Sequence, residues 1–168
     1  MKSWVVICVV VGALAAAGCK ETTEILGGGD DPVGVGATPI VIHSDCGALE
    51  LFQMELDPVT IQTIAISADL MTIAVAYSGG CADHTFTLHA CDGFLESWPP
   101  QSDIMLVHAD PDDPCDAVVT EDVVFDLVPL KDTYRASQGR SRTLKLNVYA
   151  SGGPPYYQPQ PLYDMGTD

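Results

Sequence analysis

The 168-residue sequence predicts an all-β protein, an antiparallel β-sandwich of Ig-like general shape, and three observations carry that expectation. Beyond the first 18 residues no long stretch repeats its apolar residues with the 3.6-residue period of a helix. Seven or so short runs instead alternate apolar with polar residues or are rich in Ile, Val and Thr, a composition suited to a pleated, half-buried surface. Gly, Pro, Asp and Ser clusters separate these runs, as turns between short strands require. With 47% apolar and 18% charged residues the chain is not disordered as a whole, and its length suits one domain with a real core.

Residues 1–18 stand apart from that domain. Lys2 is a minimal positive start, Trp4 to Ala17 is an apolar run too short to span a bilayer comfortably, and the small residues Ala16-Ala17-Gly18 lead into Cys19. This is a signal peptide rather than a transmembrane anchor. Its end resembles the lipobox of bacterial lipoproteins, with Ala16 where that family usually has Leu. The resemblance implies that Cys19 is diacylated, becomes the new N-terminus and is acylated a third time. Three chains exceed the two signals that stable anchoring needs. Lys20 directly after the cysteine implies, by the same resemblance, the outer membrane of a bacterial envelope. Ordinary secretion with cleavage near Gly18 is the alternative.

Residues 19–39 then read as the lipidated N-terminus and a flexible linker, rich in Gly, Thr and Asp and without periodicity. The sandwich is expected over 40–150. Ile40 to His43 and Leu49 to Leu56 are short apolar runs suited to edge strands. Val59 to Ser67 is rich in Ile and Thr, Ala68-Asp69 can turn, and Met71, Ile73, Val75 and Tyr77 alternate toward a core. Ser78-Gly79-Gly80 breaks that strand with residues that permit a tight corner. From His84 to Ala90, His84, Phe86 and Leu88 share one face and Thr85, Thr87 and His89 the other. Ile104, Leu106 and His108 share a face of the next strand. After the Asp110-Pro111-Asp112-Asp113-Pro114 loop, Val123, Phe125 and Leu127 alternate until Pro129 ends the run. A polar, basic connection follows. Leu144, Leu146 and Val148 then alternate with Lys145, Asn147 and Tyr149, which reads as a strand with one wet face. Residues 151–168, rich in Pro and Tyr, are a tail or an added edge segment.

Once Cys8 leaves with the signal peptide and Cys19 is assigned to lipid, four cysteines remain. Outside the cytoplasm an even number reads as two disulfides, with three connectivities. Cys81 and Cys91 bracket one strand, which holds them about 30 Å apart at ~3.3 Å per residue, whereas a disulfide needs Cα atoms within ~7 Å. If the strands at 84–90 and 103–109 are antiparallel neighbours, Cys81 and Cys115 lie at the same end. The expected bridges are therefore Cys81 with Cys115 and, by elimination, Cys46 with Cys91. The first would contribute roughly 3 kcal/mol in the chain-entropy model.

That register also brings His84 and His108 nearly opposite each other, with Asp83, Asp110, Asp112 and Asp113 nearby. Two readings stand: a pair of histidines satisfied by backbone or carboxylate, or a zinc or other divalent metal site built on His84, His108 and Asp110. A tetrahedral Cys81, His84, His108, Cys115 zinc site ranks lower because it needs reduced thiols. Calcium at the acidic loop is disfavoured by its two prolines and its spacing. His43 and His89 are isolated in sequence and expected to face solvent. No nucleophile elbow is present, a disulfide would consume the thiolate of a Cys81/His84 dyad, and no catalytic constellation emerges.

The formal charge is −16; residues 1–18 hold one base and no acid, so their removal gives −17. A surface so acidic excludes nucleic acid as a general partner. Five bases, Lys131, Arg135, Arg140, Arg142 and Lys145, fall in one segment whose only acid is Asp132. They read as a local counter-patch to an acidic body or as a docking patch for an anionic headgroup or glycan.

Taken together, Gly79-Gly80-Cys81-x-x-His84-x-Phe86, Leu106-Val107-His108, Asp113-Pro114-Cys115-Asp116-Ala117 and Phe125-Asp126-Leu127-Val128-Pro129-Leu130 resemble a domain of uncharacterised bacterial secreted proteins and lipoproteins. The resemblance covers residues 70–130, implies no known activity, and suggests that Cys81, His84, His108 and Cys115 form one local unit. Cys46 and Cys91 lie outside it. Two function classes follow: a non-enzymatic envelope module held by lipid that binds an envelope protein or glycan, or a metal-binding envelope protein centred on His84 and His108.

Overall fold

The computed structural model describes residues 36–44, 46, 53, 56–137, 140–150 and 155–166. All of these belong to a compact unit spanning Asp31–Asp168. The signal peptide, Cys19, most of the linker and most of the run Leu49–Leu56 lie outside the described residues. Among the described residues, nine strands and one helix follow in the order β1 (Thr38–Pro39), β2 (Val41–His43), β3 (Thr60–Ser67), β4 (Leu70–Gly79), β5 (Thr85–Cys91), β6 (Gln101–Ala109), β7 (Ala117–Asp126), α1 (Val128–Ser137), β8 (Thr143–Ala150) and β9 (Leu162–Asp164). They form two sheets, β1-β7-β4-β3 and β2-β5-β6-β8-β9. Among the described residues no helix is long and apolar enough to cross a membrane.

The period-2 alternation in the sequence decides which side chains fill the space between the sheets. Met71, Ile73 and Val75 of β4, Leu88 of β5, Ile104 and Leu106 of β6, and Leu144, Leu146 and Val148 of β8 are all fully buried in one core, joined by Phe125 and Leu127. Each such side chain contributes about 1.5–3 kcal/mol of apolar burial, which is why the alternation fixes which face points inward. The sandwich and its two disulfide staples are as the sequence implies. The sheets are nevertheless mixed: β1 pairs with β7, β2 with β5, and β6 with β8, all in parallel. Parallel neighbours need crossovers, and the chain supplies one for β6 and β8 by leaving for β7 and returning through α1.

Helix α1 corrects the sequence reading of 128–137 as a connection with Pro129 as a stop. Pro129 occupies the first turn, where a missing N–H costs nothing. The Asp126 carboxylate accepts the Val128 N–H at 2.9 Å and caps the entry. Leu130 and Tyr134, four apart, are its buried pair. Three turns with two anchors leave too little periodicity to see.

Two further expectations change. The outward side of β8 is not wet, since Asn147 and Tyr149 are both buried. Asn147 Nδ2 and the Tyr149 hydroxyl both donate to Asp103 Oδ1, at 2.9 and 3.2 Å, and Gln160 from the C-terminal segment donates to Asn147. Tyr149, Met105 and Cys91 form a second small cluster there with Tyr156 packed against it. That cover was invisible because it comes from residues read as tail. Leu162–Asp164 of the same segment is an edge strand, antiparallel to β8.

Asp69, in the β3–β4 turn, ties these parts together. It accepts from Lys131 of α1 and from the hydroxyl of the fully buried Tyr163 of β9, and its backbone carbonyl accepts the Leu127 N–H at 2.8 Å. Burial pushes the Tyr163 phenol up, and the Asp69 carboxylate beside it pushes further.

Candidate functional site

The corner after β4 is built around one carboxylate. Gly79 and Gly80 turn the chain with φ of 156° and 112°, and the consecutive N–H groups of Gly80, Cys81 and Ala82 converge on Asp113 Oδ2 at 2.8, 2.8 and 3.0 Å. Such a run of N–H groups is an anion nest, here filled by the protein's own side chain. Asp113 Oδ1 accepts the Cys115 N–H at 2.8 Å, and His84 Nε2 lies 3.2 Å from Oδ2. Both side chains of the His84–Asp113 pair are sealed from solvent. Burial alone would raise the carboxyl, but the Cys115, Cys81 and Ala82 N–H groups and His84 together hold it well below the usual carboxylate range.

The imidazoles continue the chain of bonds. His84 Nδ1 is 2.8 Å from His108 Nε2, and His108 Nδ1 is 3.1 Å from the Pro58 carbonyl. A carbonyl only accepts, and so does an ionised carboxylate. His108 Nδ1 therefore donates to the Pro58 carbonyl, and His84 Nε2 to the Asp113 carboxylate. Tyr77 tilts over both rings at 4.5 and 4.9 Å, and Phe86 stacks on His108 at 4.7 Å. The Tyr77 hydroxyl donates to Glu121 at 2.8 Å, and burial with that bond pushes the phenol up to about 12.

The sequence correctly brings His84 and His108 together, but the acidic partner is Asp113 and not Asp110. Asp110 instead accepts the Asp113 N–H at 2.7 Å, and its own N–H goes to Asp57 at 2.6 Å. It orients the loop from one step back. Spacing could not tell the loop's acids apart, because the choice depends on which one faces the glycine corner. In this arrangement all four ring nitrogens are hydrogen-bonded, and none of them offers a metal a free lone pair. The tetrahedral zinc alternative fails on the sulfurs, since Cys81 and Cys115 are bonded to each other with Cα atoms 5.7 Å apart. Among the described residues the only cluster of metal-ligand types is Cys81, Asp113 and Cys115, whose two sulfurs form that bridge.

A second unit of the same composition sits elsewhere on the five-stranded sheet. Cys46 and Cys91 are bonded, with Cα atoms 5.5 Å apart. Parallel pairing sets His43 opposite Cys91 and Val41 opposite His89. His43 Nε2 then meets His89 Nδ1 at 2.8 Å, with the rings stacked at 5.1 Å, and His89 Nε2 is 2.8 Å from Thr87 Oγ1. His43 and His89 are thus neither isolated nor simply solvent-facing. Burial, and then the neighbouring His43, lower the His89 pKa. The sequence offered no signal for this pair, because it depends on a parallel contact between segments 46 residues apart.

The five bases of the basic segment are not one surface patch. Lys131 pairs with Asp69, Arg135 donates to the Met165 and Gly166 carbonyls at 3.3 and 3.4 Å, and Arg142 lies 3.9 Å from Asp164. Three of the five therefore fasten the C-terminal segment and the β3–β4 turn, while Arg140 lines a cavity and Lys145 sits on β8.

No protein-family model and no curated protein matches the chain. Among solved structures it is similar to a protein from Parabacteroides distasonis provisionally described as toxin-related, at 23% identity and TM-score 0.49 over 77% of this chain and 61% of that one. It is similar also to a NigD-like immunity protein from Bacteroides caccae, at 15% identity and TM-score 0.46 over 67% of this chain and 52% of that one. A third, provisionally described as a lipoprotein from Bacteroides fragilis, aligns at 11% identity and TM-score 0.48 over 78% of this chain and 70% of that one. The chain spans less than two thirds of the length of the first two.

Proposed function

We propose that the chain is a lipid-anchored module of the bacterial cell envelope, held in the outer membrane through Cys19, that binds an envelope protein or glycan and does not catalyse a reaction. The observation that carries this reading is how the reactive side chains are used. All four histidines lie in two hydrogen-bonded pairs, on or beside strands β2, β5 and β6, and the buried carboxylate Asp113 is saturated by five donors. A general base needs a lone pair facing a cleft, and a nucleophilic cysteine needs a thiolate; these groups are committed to holding the fold. Two formed bridges also fit an oxidising compartment, which the signal peptide implies.

The test is Cys19→Ala in a bacterial host with lipoprotein processing. The wild-type chain should partition into detergent and carry the mass of its acyl chains, and the variant should lose both. Unchanged partitioning would remove the anchor from the reading.

A further inference from the structure

We infer that the cavity between the β5–β6 connection and the end of α1 binds a neutral glycan, an inference that rests on the binding-module reading above. The cavity holds about 770 Å³, within the range of sites for small molecules and short oligomers. Asp92, Phe94, Glu96, Trp98, Tyr134 and Arg140 line it.

Its floor is fixed. Phe94 meets the buried ring of Tyr134 edge-on at 4.9 Å, and the Tyr134 hydroxyl accepts the Ser141 N–H at 3.2 Å. Its rim is built as well. Leu95 and Gln101 exchange backbone bonds of 2.8 and 3.2 Å, and inside that loop Ser97 donates to the Pro99 carbonyl at 2.5 Å while accepting from Gln101 Nε2 at 2.9 Å. A loop closed twice presents Trp98 at 88% exposure, against a general tendency of large aromatics to be covered. The indole is a preformed flat apolar platform beside a cavity.

The polar groups narrow the ligand class. Among the described residues the side chains of Asp92, Glu96 and Arg140 make no ion pair or hydrogen bond. A wholly apolar ligand would desolvate three charges without compensation. A simple anion would face two carboxylates, and a simple cation would face Arg140. A neutral sugar has an apolar C–H face for Trp98 and hydroxyls that both donate to carboxylates and accept from a guanidinium. It satisfies every group at once.

The sequence holds two tryptophans, Trp4 and Trp98, and Trp4 leaves with the signal peptide, so Trp98 is the sole reporter in the mature, processed chain. That protein, kept in a detergent without a sugar headgroup, is titrated with maltohexaose, cellohexaose and chitohexaose, with heparin hexasaccharide and a lysine hexapeptide as charged probes. The expected result is a saturable change in Trp98 emission with at least one neutral hexasaccharide. Isothermal titration should show Trp98→Ala weakening it roughly tenfold or more, and Glu96→Gln and Arg140→Gln several-fold each. Trp98 is too exposed for its truncation to unfold the domain, and an unchanged melt of Trp98→Ala checks this. The inference is overturned if no neutral saccharide saturates below about 10 mM, if binding ignores Trp98→Ala, or if only a charged probe binds. None of those outcomes alters Cys19 acylation, which separately decides the anchored-module reading.

Discussion

Replacing His108 with alanine tests the buried imidazole pair most directly, and the structure sets the size of the effect. The side chain is 2% exposed and is enclosed by the rings of Phe86, Tyr77 and His84 at centroid distances of 4.7, 4.9 and 5.0 Å. Removing a buried ring of this size costs about 2–3 kcal/mol in lost packing and residual cavity. The Pro58 carbonyl and the His84 ring then each lose a partner at the cost of about 1 kcal/mol apiece, so the total is about 4–5 kcal/mol. That is a large part of the ~5–15 kcal/mol available to a domain. His43→Ala should cost only about 1 kcal/mol, because the half-buried outer pair surrenders one bond. Urea unfolding of the oxidised protein, followed by far-UV circular dichroism, should show the His108→Ala midpoint falling by roughly 2 M at unchanged slope. Zinc or chelator should leave the wild-type midpoint in place, since no ring nitrogen of His84 or His108 is free. A His108→Ala protein as stable as His43→Ala would refute the buried network, and a zinc-dependent rise would replace it with a metal site.

Three further outcomes follow from particular contacts. A Cβ on Gly79 would sit 2.5 Å from His84 Nε2, whereas one on Gly80 meets Val119 at 3.4 Å, so Gly79→Ala should destabilise by at least roughly 1 kcal/mol more than Gly80→Ala in the same assay. The lowered pKa of His89 means that the unfolded chain takes up this proton first on acidification. The stability it supplies is complete above about pH 6.5 and is lost as pH falls through the folded value, so His89→Gln should flatten the stability–pH slope just below that pH. The depressed carboxylates Asp69 and Asp113 contribute a separate decline, below about pH 4. Tyr163→Phe removes the hydroxyl bound to Asp69 and should cost about 1–2 kcal/mol, read by unfolding together with faster amide exchange along β9.

Local pattern and nearest-neighbour hairpins explain what could be read in advance. Alternation placed Met71, Ile73, Val75, Leu88, Ile104 and Leu106 in the core because each strand has one inward face. The β5–β6 register of Phe86 with His108 follows from a single antiparallel connection, and it brings both the histidines and the Cys81–Cys115 bridge with it. What could not be read depends on segments that meet without being sequence neighbours. The parallel contact of β2 with β5 creates the His43–His89 pair, and the C-terminal segment covers Asn147 and Tyr149. Helix α1 was hidden for another reason: proline and two buried residues in ten do not make a visible helical period. The choice of Asp113 over Asp110 belongs to the same class as the long-range contacts. It is decided by backbone N–H groups about thirty residues away, not by anything in the acidic loop itself.

The two disulfides offer a final comparison, because their loops are nearly equal. Sequence separations of 34 and 45 residues predict similar restriction of the unfolded chain, roughly 3–4 kcal/mol each in the chain-entropy model. Replacing either pair with two alanines should therefore cost nearly the same through the unfolded state, and differences must arise in the native one. There the corner is held twice. Asp113 accepts the backbone N–H of both half-cystines, Cys81 through Oδ2 and Cys115 through Oδ1, so the carboxylate bridges the same two backbones as the sulfurs. The Cys81→Ala/Cys115→Ala protein should keep its corner, with the Cys81 and Cys115 position amides still slow to exchange, and should lose stability within about 1 kcal/mol of the Cys46→Ala/Cys91→Ala protein. Adding Asp113→Ala to the first variant should release those amides together. If they exchange freely while Asp113 is intact, the sulfurs alone hold the corner and the nest is their consequence.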